Sequence, residues 1–145
     1  MKQFADSTGA VWALKIDIGA ARRVLSALGV NILNPAEPCG ETTVSQRLMY
    51  DDLFLVDVVR AIVDPKDVDF DARIDGETIG RIEKAFWEEY RVFFAARGKE
   101  WAVRALDLDL EAKEARAREA LNEIETFGAT SQGSPDDADS SASTT

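Results

Sequence analysis

The 145-residue sequence contains no histidine, a single cysteine, and no apolar run approaching the roughly 18 residues that cross a membrane. The missing histidine removes the commonest general base, the commonest metal ligand and the usual pH switch together. One thiol, Cys39, cannot form an internal disulfide, and the opening Met-Lys-Gln-Phe-Ala-Asp is too polar for a signal peptide. A reducing, cytoplasmic location is the expectation. Positive charge is scarce as well: 17 basic residues stand against 27 acidic ones, for a net charge of −10. Asp136, Asp137 and Asp139 supply three of the acids, leaving 24 acidic and 17 basic residues in the body. Such a surface argues against non-specific binding to nucleic acid or to an anionic membrane, and suits a basic partner or plain solubility.

Motifs that carry chemistry are equally thin. Neither G-x-x-x-x-G-K-[ST] nor G-x-G-x-x-G occurs around Gly76 and Gly80 or elsewhere, so nucleotide phosphates have no cradle. Asp67, Asp69 and Asp71 fall at positions one, three and five of a calcium loop. Ala72 and Thr78, however, stand where that loop needs glycine and a bidentate glutamate, and an acidic helix-capping linker is the better reading. Asp51/Asp52 reads as a helix N-cap, and Glu88/Glu89 and Asp107/Asp109 as solvated faces, because neighbouring helix residues point in different directions. Cys39 has no histidine to activate it and reads as an unreactive loop thiol. No catalytic, cofactor-binding or metal-binding residue is assigned, and the chain is not expected to be an enzyme.

What is present is a foldable body: 46% apolar residues, three Trp and seven Phe. Asp6-Ser7-Thr8-Gly9 is turn chemistry, followed by Trp12, Leu14 and Ile16 on one face, which predicts a β-hairpin over residues 4–16. A hairpin is barely stable alone, so it must lie on helices or pair with another copy. Ile18, Ala21, Val24, Leu25 and Leu28 predict a first helix closed by Gly29. A loop from Asn34 to Gly40, a candidate mobile segment, leads to a short helical turn over Thr43–Tyr50. Asp51–Val63 is apolar around most of its circumference and predicts the central buried helix; a buried strand over Leu53–Val59 is the rival, disfavoured by length and by the Pro65 stop. Asp67–Ile74 reads as one helical turn. A long helix opens at Asp75 or Thr78 with the stripe Ile79, Ile82, Phe86, Tyr90 and Phe93, and breaks at Gly98.

From Lys99 to about Phe127 the pattern stays helical, with Val103, Leu106, Leu110, Ala117, Leu121 and Ile124 near one seam that Lys113 interrupts. After Gly128 the composition turns to Ser, Thr, Asp, Gly and Ala. The expected architecture is therefore mainly α: an N-terminal β-hairpin packed on a bundle of about four helices and a long C-terminal helix, all within residues 1–127, then a disordered acidic tail over residues 128–145. The aromatic cluster Phe86, Trp87, Tyr90, Phe93, Phe94 and Trp101 is wider than one packing neighbour covers. Its default place is the core, yet aromatics also mark interfaces. Trp12, Leu55, Trp87, Phe94 and Trp101 are accordingly the candidate partner-binding residues.

Asp6 to Gly9, Val11-Trp12-Ala13-Leu14, Arg23-Val24, Gly29-Val30, Leu33, Leu55-Val56-Asp57-Val58 and Asp75-Gly76 occur in an order that resembles the small tail assembly chaperones of long-tailed phages and prophages, encoded just before the tape measure protein. The resemblance spans roughly residues 4–97, and the charged helix from Lys99 onward departs from it. It implies a helical protein of the host cytoplasm that needs no cofactor, coats the long apolar tape measure protein and helps recruit tail tube subunits. Charge alone suggests a different function, an acidic inhibitor that mimics nucleic acid and occupies the basic groove of a DNA-binding protein.

Overall fold

A computed structural model of the chain describes residues 1–66 and 68–144, with side chains as far as residue 127. The chain is mainly helical. It opens with β1 (Lys2–Ala5) and β2 (Val11–Leu14), paired antiparallel with Phe4 opposite Trp12. The turn forms because the Asp6 carboxylate accepts hydrogen bonds from the backbone N–H groups of Thr8 (2.8 Å) and Ala10 (3.1 Å) and from the Thr8 hydroxyl (2.6 Å). Leu14 and Ile16 are buried as the alternation predicts, and Trp12 is half-buried. The hairpin finds its support within its own chain: Arg81 donates to the Ala5 carbonyl (2.9 Å) and the Ser7 amide to the Arg73 carbonyl (2.9 Å).

Helix α1 (Ile18–Leu28) begins where Asp17 accepts from the Ala20 amide (2.7 Å) and ends at Gly29, whose φ of 69° supplies the left-handed cap. Its buried residues are Ala20, Ala21 and Val24. Ile18 and Leu25, expected on the inner stripe, are about half exposed. The inner face is turned toward the alanines, whose small side chains suit a close approach of helices. From the same helix Arg23 donates to the carbonyls of Ala61 (3.1 Å) and Ile62 (2.7 Å), two of the last-turn acceptors that a helix leaves without internal partners.

The segment expected as a loop from Asn34 to Gly40 contains the first strand of a short hairpin. Ile32 and Pro35 are buried, and Pro38–Cys39 (β3) pairs antiparallel with Thr42–Thr43 (β4), which places Cys39 in a strand. Helix α2 (Val44–Tyr50) follows, started by a reciprocal capping box between Thr43 and Gln46. Helix α3 (Asp52–Val63), capped by Asp51, is the central helix and not the rival strand; Phe54, Leu55, Val56, Val58, Val59 and Ile62 are buried. Leu53, in its first turn, is 79% exposed.

A 3-10 turn, Asp71–Arg73, leads to α4 (Gly76–Ala96), whose N-cap Asp75 accepts from both the amide (2.8 Å) and the hydroxyl (2.6 Å) of Thr78. These bonds, the hydroxyl first, hold the Asp75 carboxyl below its ordinary pKa. Ile82, Phe86, Tyr90 and Phe94 bury one face against α3 and the hairpin. Gly98, at φ 71°, breaks the helix as predicted, and α5 (Glu100–Thr144) follows. The chain divides into two units, Met1–Asp107 and Leu108–Thr145. The first holds the core. The second consists of α5 beyond Asp107, and its described side chains are those of Leu108 to Phe127. The disordered tail expected over residues 128–145 lies outside the residues described with side chains.

Candidate partner-binding surface

The five candidate contact residues scatter. Leu55 is fully buried in α3, and Trp87 and Phe94 are buried in α4, so none of the three offers surface to a partner. Sequence spacing alone could not show this: α4 is apolar over a wide arc because it meets several elements of the first unit, the hairpin and α3 among them. Ring centroids of Phe86 and Tyr90 lie 5.1 Å apart, those of Tyr90 and Phe94 4.9 Å, and those of Trp87 and Tyr90 5.8 Å. Phe86, Trp87, Tyr90 and Phe94 are therefore core, while Phe93 is half-buried. The Tyr90 hydroxyl donates to the Ile32 carbonyl, which ties α4 to the segment after α1, and burial pushes the phenol above its ordinary pKa.

Trp12 is held rather than offered. Its indole N–H donates to Asp6 (2.8 Å) and its ring meets Phe70 edge-on at 5.2 Å. Asp6, which sequence reasoning placed only in the turn, thus organises a network that also brings the Arg73 guanidinium within 3.5 Å. Hydrogen bonding, from Thr8 above all and then Trp12, holds its carboxyl well below the usual aspartate range, against the opposing effect of burial. The Asp-Ser-Thr-Gly spacing was the available signal, since a turn aspartate with nearby donors commonly bonds the backbone two residues on. Trp101 alone among the five is open, at 65% exposed.

Glu89 is buried, but its carboxylate accepts from the Ile16 amide (3.3 Å) and lies 3.3 Å from the Met1 ammonium, a structural arrangement. Of the acidic linker residues, Asp67 lies outside the described set, Asp69 accepts from the Ala72 amide (3.3 Å), and Asp71 pairs with Arg60. Among the described residues no group of three or more Cys, Asp or Glu side chains is placed to hold a metal ion. An open groove of about 420 Å³ is lined by Lys2, Glu88, Arg91, Val92, Ala95 and Val103. Its charges are already committed, Lys2 to Glu88 (3.7 Å) and Arg91 to Asp107 (2.8 Å). Among the described residues no helix is long and apolar enough to cross a membrane.

The surface that stands out is on α5. Leu121, Ile124 and Phe127 are 55%, 68% and 75% exposed. They recur at helical spacing on a helix that, beyond Asp107, constitutes its unit by itself. Sequence reading named Leu121 and Ile124 as seam residues without recognising that the seam is open, and it missed Phe127. The sequence matches no family model, and neither a curated protein nor a solved structure matches it.

Proposed function

We propose that the chain is a non-catalytic holding protein for a long, apolar, helical partner, acting in the cytoplasm. The open apolar seam of α5 carries this reading. Three large side chains exposed in succession along one helix face lose water-contacting surface when a second amphipathic helix lies along them, worth on the order of 25 cal/mol per Å² of apolar area covered. A partner rich in such helices would otherwise aggregate, and coating it would keep it soluble. The likeness of residues 4–97 to phage tail assembly chaperones supports a specific version: the partner is a tape measure protein, and the complex assists assembly of tail tube subunits around it. The net charge of −10 then keeps the loaded complex dispersed.

Co-expression tests the reading. The intact chain should move a long helical partner, a tape measure protein, from the pellet to the soluble fraction, and Ile124→Asp should abolish the effect. If the wild-type chain leaves that partner insoluble, the reading fails. Insensitivity of the complex to salt would fit burial of apolar surface, whereas a steep loss of binding with salt would favour an acidic mimic of nucleic acid.

A further inference from the structure

From Val103 onward α5 advances in alternating steps of three and four residues through Val103, Leu106, Leu110, Lys113, Ala117, Ala120, Ile124 and Phe127. That mean spacing of 3.5 is the repeat by which one helix winds around another. Leu106 is buried within the first unit, while Ile124 and Phe127 are open. Charge along the same stretch is unevenly distributed. The basic residues from Leu108 to Phe127 are Lys113, Arg116 and Arg118, confined to six positions that also hold Glu114 and are net positive, and every charged residue from 119 to 127 is acidic: Glu119, Glu123 and Glu125.

This pattern discriminates between ways of covering the seam with the same sequence. Parallel pairing would set each charge block against its own kind, and would place Asp109 across from Glu114 where flanking residues meet. Antiparallel pairing about an axis between Arg118 and Glu119 sets the basic block of each copy against the acidic block of the other. Leu110 then meets Phe127 of the second copy, Ala117 meets Ala120, and Lys113 meets Ile124. Glu123 falls beside Lys113 and Arg116 of the second copy. The alanine layers allow close approach at the centre. The Lys113 stem covers apolar surface while its ammonium reaches Glu123, and one polar layer fixes the register.

We propose that the α5 seam pairs antiparallel with the seam of a second copy of this chain, through Leu110, Ala117, Ala120, Ile124 and Phe127, with Lys113 and Arg116 facing Glu123. The pairing stands independently of the chaperone reading. Where a helical client is present it competes for Ile124 and Phe127, so self-pairing keeps those two residues covered until the client arrives.

Reciprocal charge reversal tests the arrangement in the full-length protein. Association follows mass action, so sedimentation equilibrium at concentrations on the order of 100 μM should find the wild type dimeric. Lys113→Glu/Arg116→Glu in one protein and Glu123→Lys in another should each weaken self-association by about tenfold or more, because each places like charges together twice per dimer. Mixing the two proteins restores opposite charges at both ends, and the heterodimer should return to within about threefold of the wild-type affinity. Circular dichroism melting checks that residues 1–107 remain folded in each variant. A monomeric wild type at that concentration, homodimers indifferent to the reversals, or a mixture without restored pairing would each overturn the proposal.

Discussion

In the first unit Phe86, Tyr90 and Phe94 are sealed by neighbours on several sides, whereas in α5 beyond Asp107 Leu121, Ile124 and Phe127 stand open to solvent. Both sets are large apolar residues at helical spacing. What separates them is how many other elements share the unit. A helix among several others needs a wide apolar arc and spends it on the core, while Leu121, Ile124 and Phe127 in the second unit keep large apolar side chains exposed. Aromatic density in this molecule therefore marks the core of the first unit, and the large exposed apolar side chains at helical spacing stand on α5.

Substitutions can break or sharpen this contrast. The largest effect belongs to the core: Phe86→Ala should destabilise the first unit by about 3–5 kcal/mol, read by chemical denaturation, because a fully buried ring leaves a cavity. Asp6→Asn should lower the melting temperature by less, since the turn keeps an acceptor but loses the charge that Trp12 and Arg73 face. The lowered Asp6 pKa also fixes the direction of its pH dependence. The folded state releases this proton more readily than the unfolded chain does, so the carboxylate stabilises the fold fully above its ordinary value of 3.8 and the contribution disappears as pH falls through the folded value. Denaturation below about pH 4 should thus be less pH-dependent in Asp6→Asn than in the wild type.

Smaller still is Tyr90→Phe, which leaves the Ile32 carbonyl buried without its donor and should cost about 1–3 kcal/mol. With the Tyr90 pKa raised in the fold, its share of stability is present below the ordinary value of 10.0 and is lost as pH rises past it. The wild type should therefore lose stability above pH 10 more steeply than Tyr90→Phe, as alkaline denaturation would record. At the small end, Ile124→Asp should leave the melting of residues 1–107 within about 0.5 kcal/mol of wild type, because its side chain is exposed. A larger loss would mean that α5 supports the first unit and that the contrast is wrong.

Much of this was legible in the chain. Asp17, Thr43, Asp51, Asp75, Gly29 and Gly98 punctuate the helices by local chemistry, which is why α1, α3 and α4 stand close to their predicted bounds. Pro38-Cys39-Gly40 was misleading, because turn residues mark a two-residue hairpin as readily as a loop. Burial was harder to read than helicity. Ile18, Leu25 and Leu53 fit apolar stripes yet face outward, and Leu55, Trp87 and Phe94 fit an interface yet face inward. Periodicity specifies a face but not its neighbour, and the neighbours come from residues distant in sequence, as when Arg23 reaches the end of α3 or Tyr90 reaches Ile32.

Hydrogen exchange of the intact chain at increasing concentration tests most directly whether the α5 seam is a contact surface while the first unit is closed. Backbone amides of residues 110–127 should exchange quickly when dilute and become protected as the concentration rises from about 1 to about 200 μM, while those of α3 and α4 stay protected throughout. Exchange over residues 110–127 that does not change with concentration would contradict the account.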